Sequence, residues 1–123
     1  MTRVAINGFG RIGRNVFRII AARPESGIQV VAINDLSDDD ILAYLLEYDS
    51  VMGRFDQEVT VSDGVMKVGG HEIEMLVERD PAQLPWAELE VDVVIEATGV
   101  FRDKASLQKH LDAGAKRASR SWP

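Results

Sequence analysis

The sequence predicts an α/β fold: a parallel sheet with a short antiparallel insertion, incomplete at its C-terminal end. Three observations lead there. Residues 4–20 pass from a short apolar run through a glycine turn into apolar residues at helical spacing. Residues 28–33 and 91–97 are runs of apolar, β-branched residues of the kind buried on both faces of a parallel sheet. Residues 54–78 alternate between apolar and polar positions and are interrupted by tight-turn signals.

Taken in order, Val4, Ala5 and Ile6 form a strand that stops at Asn7-Gly8, and from Arg11 the residues Ile12, Val16, Phe17, Ile19 and Ile20 recur with helical period. Pro24-Glu25-Ser26-Gly27 ends that helix, and IQVVAI at 28–33 supplies a second strand, completing a βαβ unit. Beyond Asn34-Asp35, Ser37 and the aspartates 38–40 suit a helix N-terminus, where acids meet the positive end of the dipole. Ile41, Leu42, Leu45 and Leu46 give the helix that follows one apolar face. FDQEVTV, VMKV and HEIEMLV, separated by Ser62-Asp63-Gly64 and Gly69-Gly70, are the short strands of the insertion. Pro81 and Pro85 break the chain, VDVVIEA at 91–97 restores a buried strand, and KASLQKHLDA at 104–113 forms a helix with Gly114 beyond its end.

Length and composition exclude several classes of function. A chain of 123 residues is the size of one domain, and 46% hydrophobic with 28% charged residues is the balance of a globular protein. No cysteine is present, which excludes disulfides, thiolate metal sites and thiol nucleophiles and fits a reducing compartment. The N-terminal segment is interrupted by Asn7, Arg11, Arg14 and Arg18, so neither a signal peptide nor a membrane span is expected there. A net charge of −6 argues against nucleic-acid binding. Residues 102–123 hold six Lys or Arg against two Asp, a basic stretch expected to be a solvated face.

Gly8-Phe9-Gly10-Arg11-Ile12-Gly13 matches G-x-G-x-x-G between a strand and a helix. In that setting the first glycine permits the turn, the second lets backbone approach a pyrophosphate, and the third lets helix and strand pack closely. The helix N-terminus adds unpaired N–H groups and partial positive charge, and Arg11 adds a donor. Asp35, 22 positions after Gly13 at the end of the second strand, is placed to accept hydrogen bonds from an adenosine ribose. Its charge, with Asp38, Asp39 and Asp40 close by, would repel the additional phosphate of NADP, so the expected cofactor is NAD. These features make the sheet a Rossmann-type sheet.

The stretches VAINGFGRIGRNVFR, VVAINDL, YDSVMGRF, ERDP and VIEATGVF, in that order, resemble the NAD-binding half of phosphorylating glyceraldehyde-3-phosphate dehydrogenase. The resemblance runs from about Val4 to Arg117. It implies that Asn7, Gly8, Gly10, Arg11 and Ile12 line the pyrophosphate turn, that Asn34 and Asp35 lie at the adenosine side with Arg79 beside the adenine, and that Thr98, Gly99 and Phe101 follow the cofactor after the third parallel strand. It also implies a cytoplasmic, glycolytic oxidoreductase, homotetrameric in relatives. Met52 departs from the histidine common at that place in the family. His71 and His110 are expected at the surface.

In that family a cysteine attacks the aldehyde and a histidine serves as its base, both in a second domain. With no cysteine here, a thiohemiacetal cannot form, so no catalytic residue is assigned and the chain by itself is expected to be inactive. Residues 1–117 are expected to form an incomplete NAD-binding domain, with a divergent tail at 118–123 and the catalytic domain absent. The polar end Ala118-Ser119-Arg120-Ser121-Trp122-Pro123 is not expected to supply a buried strand, a pattern suggesting a shifted reading frame or a truncation. Two alternatives stand beside this: an interaction subunit without cofactor function, and a fragment of the related erythrose-4-phosphate dehydrogenase.

Overall fold

Seven strands form one sheet in the computed structural model, which describes residues 2–48, 57–98 and 104–120. Along the chain come β1 (Thr2–Asn7), α1 (Arg11–Ala21), β2 (Ile28–Asn34), α2 (Asp39–Glu47), β3 (Val59–Ser62), β4 (Val65–Val68), β5 (His71–Leu76), β6 (Val93–Glu96), α3 (Lys104–Asp112) and β7 (Arg117–Arg120). Their order across the sheet is β3-β4-β5-β2-β1-β6-β7. β1 pairs in parallel with both β2 and β6, and β7 pairs in parallel with β6. The expected antiparallel insertion is the meander β3-β4-β5, and its last strand also joins β2 in parallel, making the insertion a continuation of the main sheet.

Side chains divide across the sheet into two apolar clusters, the alternation along β2 being broken at Val31-Ala32, where its pairing with β1 shifts register. One gathers Ile6, Val30, Ile33 and Ile73 with Phe9, Phe17, Leu42 and Leu46, so α1 and α2 cover the same face. The other gathers Ala5, Val31 and Val94 with Leu84, Trp86, Val91 and Ala115 on the opposite face. Arg18, on α1, is buried and donates to the carbonyl of Leu46 in the last turn of α2. A cation there satisfies a carbonyl that the helix leaves unpaired and opposes the negative end of its dipole.

α1 carries two apolar stripes, and the sheet takes the one holding Gly13 and Phe17, leaving Ile12 and Ile19 39% and 52% exposed. The reason is steric. A methyl group on Gly13 would overlap the carbonyl oxygen of Gly8, so only the glycine side of the helix can sit against the turn. Of the residues expected at the start of α2, Asp38 is the cap: its carboxylate accepts from the Asp40 N–H at 2.8 Å. Ile41, expected on the buried face, is exposed.

The segment after Lys116 pairs despite its polarity. An edge strand needs backbone partners on one side only, and β6 offers a free edge; Ser119 and Arg117 stay exposed while Ala118 is half-buried. Asp92 sets the register there. It accepts from the Arg3 N–H at 2.9 Å, its own carbonyl accepts from the Arg117 N–H at 2.8 Å, and Lys116 lies 3.1 Å from its carboxylate. The Arg3 N–H and then Lys116 hold this carboxyl below its ordinary pKa.

Phe17 meets Phe9 edge to face, 5.8 Å between ring centres, and both are buried. Phe17→Ala should cost about 3–5 kcal/mol in urea unfolding followed by tryptophan fluorescence, as for other buried aromatics cut to alanine. A loss below about 1 kcal/mol would show that α1 is not held as described.

Candidate functional site

Chain order and sheet order part company at β1: the chain moves out through β2 to β5 on one side, then returns to β6 on the other. Open α/β sheets form a crevice at such a reversal, at the carboxyl ends of the strands. Here those ends are polar. Asn34, Asn7 and Glu96 close β2, β1 and β6 and stand in register with one another, each no more than 4% exposed.

The three side chains form one hydrogen-bonded row. Asn34 Nδ2 donates to Asn7 Oδ1 at 2.7 Å and to the Glu78 carbonyl at 2.9 Å, while Asn34 Oδ1 accepts from the Glu78 N–H at 2.8 Å. Asn7 Nδ2 donates to Glu96 Oε1 at 2.8 Å. Beyond Glu96 the row continues through His110 Nε2, 2.7 Å from the same oxygen, to Trp86, whose indole N–H donates to His110 Nδ1 at 3.0 Å. With Nδ1 committed as an acceptor, the hydrogen of His110 sits on Nε2 and points at Glu96.

His110 is fully buried, correcting the expectation of a surface histidine; His71 is exposed as expected. Glu96 and the burial of His110 were not found from sequence. The available signal was an acid inside the apolar strand VDVVIEA, since a buried carboxylate demands partners. Burial pushes the pKa of Glu96 up, but hydrogen bonds from His110, Asn7 and both the hydroxyl and N–H of Thr98 outweigh it and hold the carboxyl below its ordinary range.

The glycine turn lies over this row. Gly8 donates to the Asn34 carbonyl at 2.7 Å and has φ of +97°, which side chains rarely tolerate, and a methyl group there would meet Thr98 Cγ2 at 2.7 Å. Thr98 and Gly8 are therefore in direct contact. The Phe9 ring is buried in the core while its N–H donates to Asp35 Oδ2 at 2.6 Å. Gly10 differs from the other two glycines: among the described residues, a methyl group on it would meet nothing within 4 Å. It begins α1 without a side-chain cap, and no acid occupies the first turn of that helix.

The structure thus brings together Asn7, Gly8, Gly10, Arg11, Ile12, Asn34, Asp35 and Thr98, with Arg11 and Ile12 exposed on the first turn of α1. Arg79 is exposed just past β5, whose end is tied to Asp35 by the Asp35 N–H to Leu76 carbonyl bond at 3.0 Å. The amides of Asn7 and Asn34 are buried and bonded to protein. Gly99, Phe101 and Met52 lie outside the described residues. A separate apolar cavity of about 270 Å³, lined by Phe17, Ile20, Pro24, Val30, Val68 and Ile73 among others, lies at the amino-terminal end of β2, away from this row.

Residues 2–104 match the family described as glyceraldehyde 3-phosphate dehydrogenase, NAD binding domain. The chain belongs to that family. It is 56% identical over 115 residues to glyceraldehyde-3-phosphate dehydrogenase 1 of Streptomyces arenae, covering 94% of this chain and 34% of that protein. It is 51% identical over 123 residues to glyceraldehyde-3-phosphate dehydrogenase of Bacteroides fragilis, covering 100% of this chain, residues 118–123 included, and 37% of that protein. The chain therefore spans about a third of the length of these relatives. In this NAD-binding domain the glycine turn, Asp35 and Thr98 lie at the carboxyl ends of β1, β2 and β6, and Glu96 ties the ends of β1 and β6 together.

A Glu96 pKa lower in the folded than in the unfolded chain has a fixed sign. The ionised carboxylate stabilises the fold above the unfolded pKa, and that stabilisation is lost as pH falls through the folded value. Thermal unfolding between about pH 6 and pH 3 should show a falling midpoint, with a shallower fall in Glu96→Gln. Equal slopes in the two proteins would contradict this account of Glu96.

Proposed function

We propose that this chain binds NAD across the carboxyl ends of β2, β1 and β6 and serves as the cofactor-holding part of a glyceraldehyde-3-phosphate dehydrogenase. The observation that carries the reading is Gly10. Gly8 and Gly13 are required by protein contacts, whereas nothing among the described residues crowds the position a methyl group on Gly10 would take. Glycine at that place suits a ligand that lies against the backbone, and the uncapped start of α1 suits that ligand's being a phosphate group.

Asp35 takes the adenosine end. Its two oxygens each accept one backbone N–H, from Phe9 and from Ser37, and a carboxylate has acceptor sites left for both hydroxyls of a ribose. Leu36 and Val77, directly after Asp35 and β5, are 56% and 66% exposed and offer apolar surface for a base, with Arg79 close by in sequence. The acids at the start of α2 repel one another, since partial burial and then the charges of Asp38 and Asp40 raise the Asp39 pKa. A further phosphate on the ribose would meet the same repulsion, which favours NAD over NADP.

When bound, NAD supplies a hydride acceptor. The chain's own residues bind and orient it: backbone N–H groups at the start of α1 hold the diphosphate, Asp35 holds one ribose, and Thr98 walls the other side of the turn. With no cysteine among the 123 residues, aldehyde oxidation would need a thiol from outside them. We assign this chain the cofactor role in a cytoplasmic glycolytic enzyme and give it no catalytic residue.

Calorimetric titration of the 123-residue chain with NAD tests the reading, and no heat at millimolar cofactor would sink it. Gly10→Ala should keep stability within about 1 kcal/mol of the parent and lose NAD affinity by at least about tenfold. Retained affinity would remove the observation on which the proposal stands. Asp35→Ala should weaken NAD by about tenfold while leaving NADP nearly as weak as before, so that the preference narrows; an undiminished preference would place discrimination elsewhere.

A further inference from the structure

Glu96 touches both walls of the crevice without being placed to touch a ligand itself. Its Oε2 accepts from the Thr98 hydroxyl at 2.7 Å and from the Thr98 N–H at 3.2 Å, which ties Thr98 to the end of β6. Its Oε1 accepts from Asn7, the residue that leads into the glycine turn, and from His110 on α3. The Asn7 carbonyl in turn accepts from the Ala97 N–H at 2.8 Å. One buried carboxylate therefore sets the distance between Gly8 and Thr98, two residues already so close that a methyl group on Gly8 would overlap Thr98.

We propose that Glu96 is a positioning residue for the half of the cofactor that extends from the glycine turn toward β6. The inference rests on the NAD reading above. Asp35 lies past the end of β2, on one side of β1, and fixes the adenosine half there. The other half must then pass Gly8 and reach the Thr98 side, on the far side of β1. Thr98 is remote along the chain from the glycine turn, so its place beside Gly8 has to be set by contacts across the fold. Glu96 supplies such a contact, and His110, locked by Trp86, keeps the carboxylate from turning away.

Glutamine at position 96 keeps the shape and removes the match. All the groups named around this side chain can donate, and a carboxamide presents a donor of its own where one carboxylate oxygen stood. The Thr98 hydroxyl can rotate to accept, but the Thr98 N–H, Asn7 Nδ2 and His110 Nε2–H cannot. A purely structural role would lower stability and leave the ratio of affinities for different parts of the cofactor unchanged. A positioning role changes that ratio.

The test compares NAD with ADP, which carries the adenosine and diphosphate but not the second ribose and nicotinamide. In Glu96→Gln the affinity for NAD should fall by about tenfold while that for ADP changes by less than about twofold. Thr98→Val, which removes only the hydroxyl bonded to Glu96, should show the same selective loss in smaller degree, and Thr98→Ser should restore it; this pair decides the question if Glu96→Gln does not fold. Equal losses for NAD and ADP, or an unchanged ratio in both variants, would overturn the inference while leaving the NAD reading intact. A parent chain that binds neither ligand would overturn both.

Discussion

The buried row Asn34–Asn7–Glu96 is the constraint on which the rest of this domain depends. It places a carboxylate in the interior, an arrangement tolerable only when every lone pair facing inward finds a donor. The donors come from β1, from the segment after β6 and from α3, and His110 is in turn held by the loop bearing Trp86. Folding must bring all of them to one point. A partly satisfied row would leave unpaired polar groups buried, so the arrangement favours one register of β1 between β2 and β6 over any slipped one.

That register is what gives the crevice its shape. Because Asn7 is held level with Asn34 and Glu96, the turn that follows must rise from a fixed height, and Gly8 then lies against Thr98 with no room for a side chain. Gly13 brings α1 down onto the same turn, and the Phe9 ring anchors it from within the core. Of the three glycines in the turn, Gly10 alone has no described protein neighbour at its Cβ side. The rigid parts of the turn are thus set by packing, and the open part is the part that a ligand would fill.

Much of this was legible in local patterns. Strands β1, β2 and β6, helices α1 to α3 and the turns of the meander follow from periodicity and from glycine and proline signals spanning a few residues. The place of Asp35 just past β2 was legible because its distance from the glycines follows from the length of one βαβ unit. The partners of Glu96 were not, because Asn7 is 89 positions away and no spacing rule connects them. His110 was expected at the surface because it falls on a helix with no nucleophile beside it in the sequence, whereas its side chain turns in to Trp86, 24 positions earlier. β7 was not expected because side-chain polarity says little about an edge strand, whose pairing is a matter of backbone. Ile12 and Ile19 were read together with Phe17 as one apolar set, and a glycine, invisible to hydropathy, decided that the sheet takes Phe17 and leaves the other two exposed.

Amide chemical-shift mapping of the ¹⁵N-labelled chain during addition of NAD tests the central claim most directly. The account predicts that the largest changes fall on Gly10, Arg11 and Ile12 at the start of α1, on Asp35 and Leu36, and on Thr98, with a smaller change at the Trp86 indole N–H through His110. Shifts confined to residues around the apolar cavity, such as Phe17, Val68 and Ile73, would contradict it.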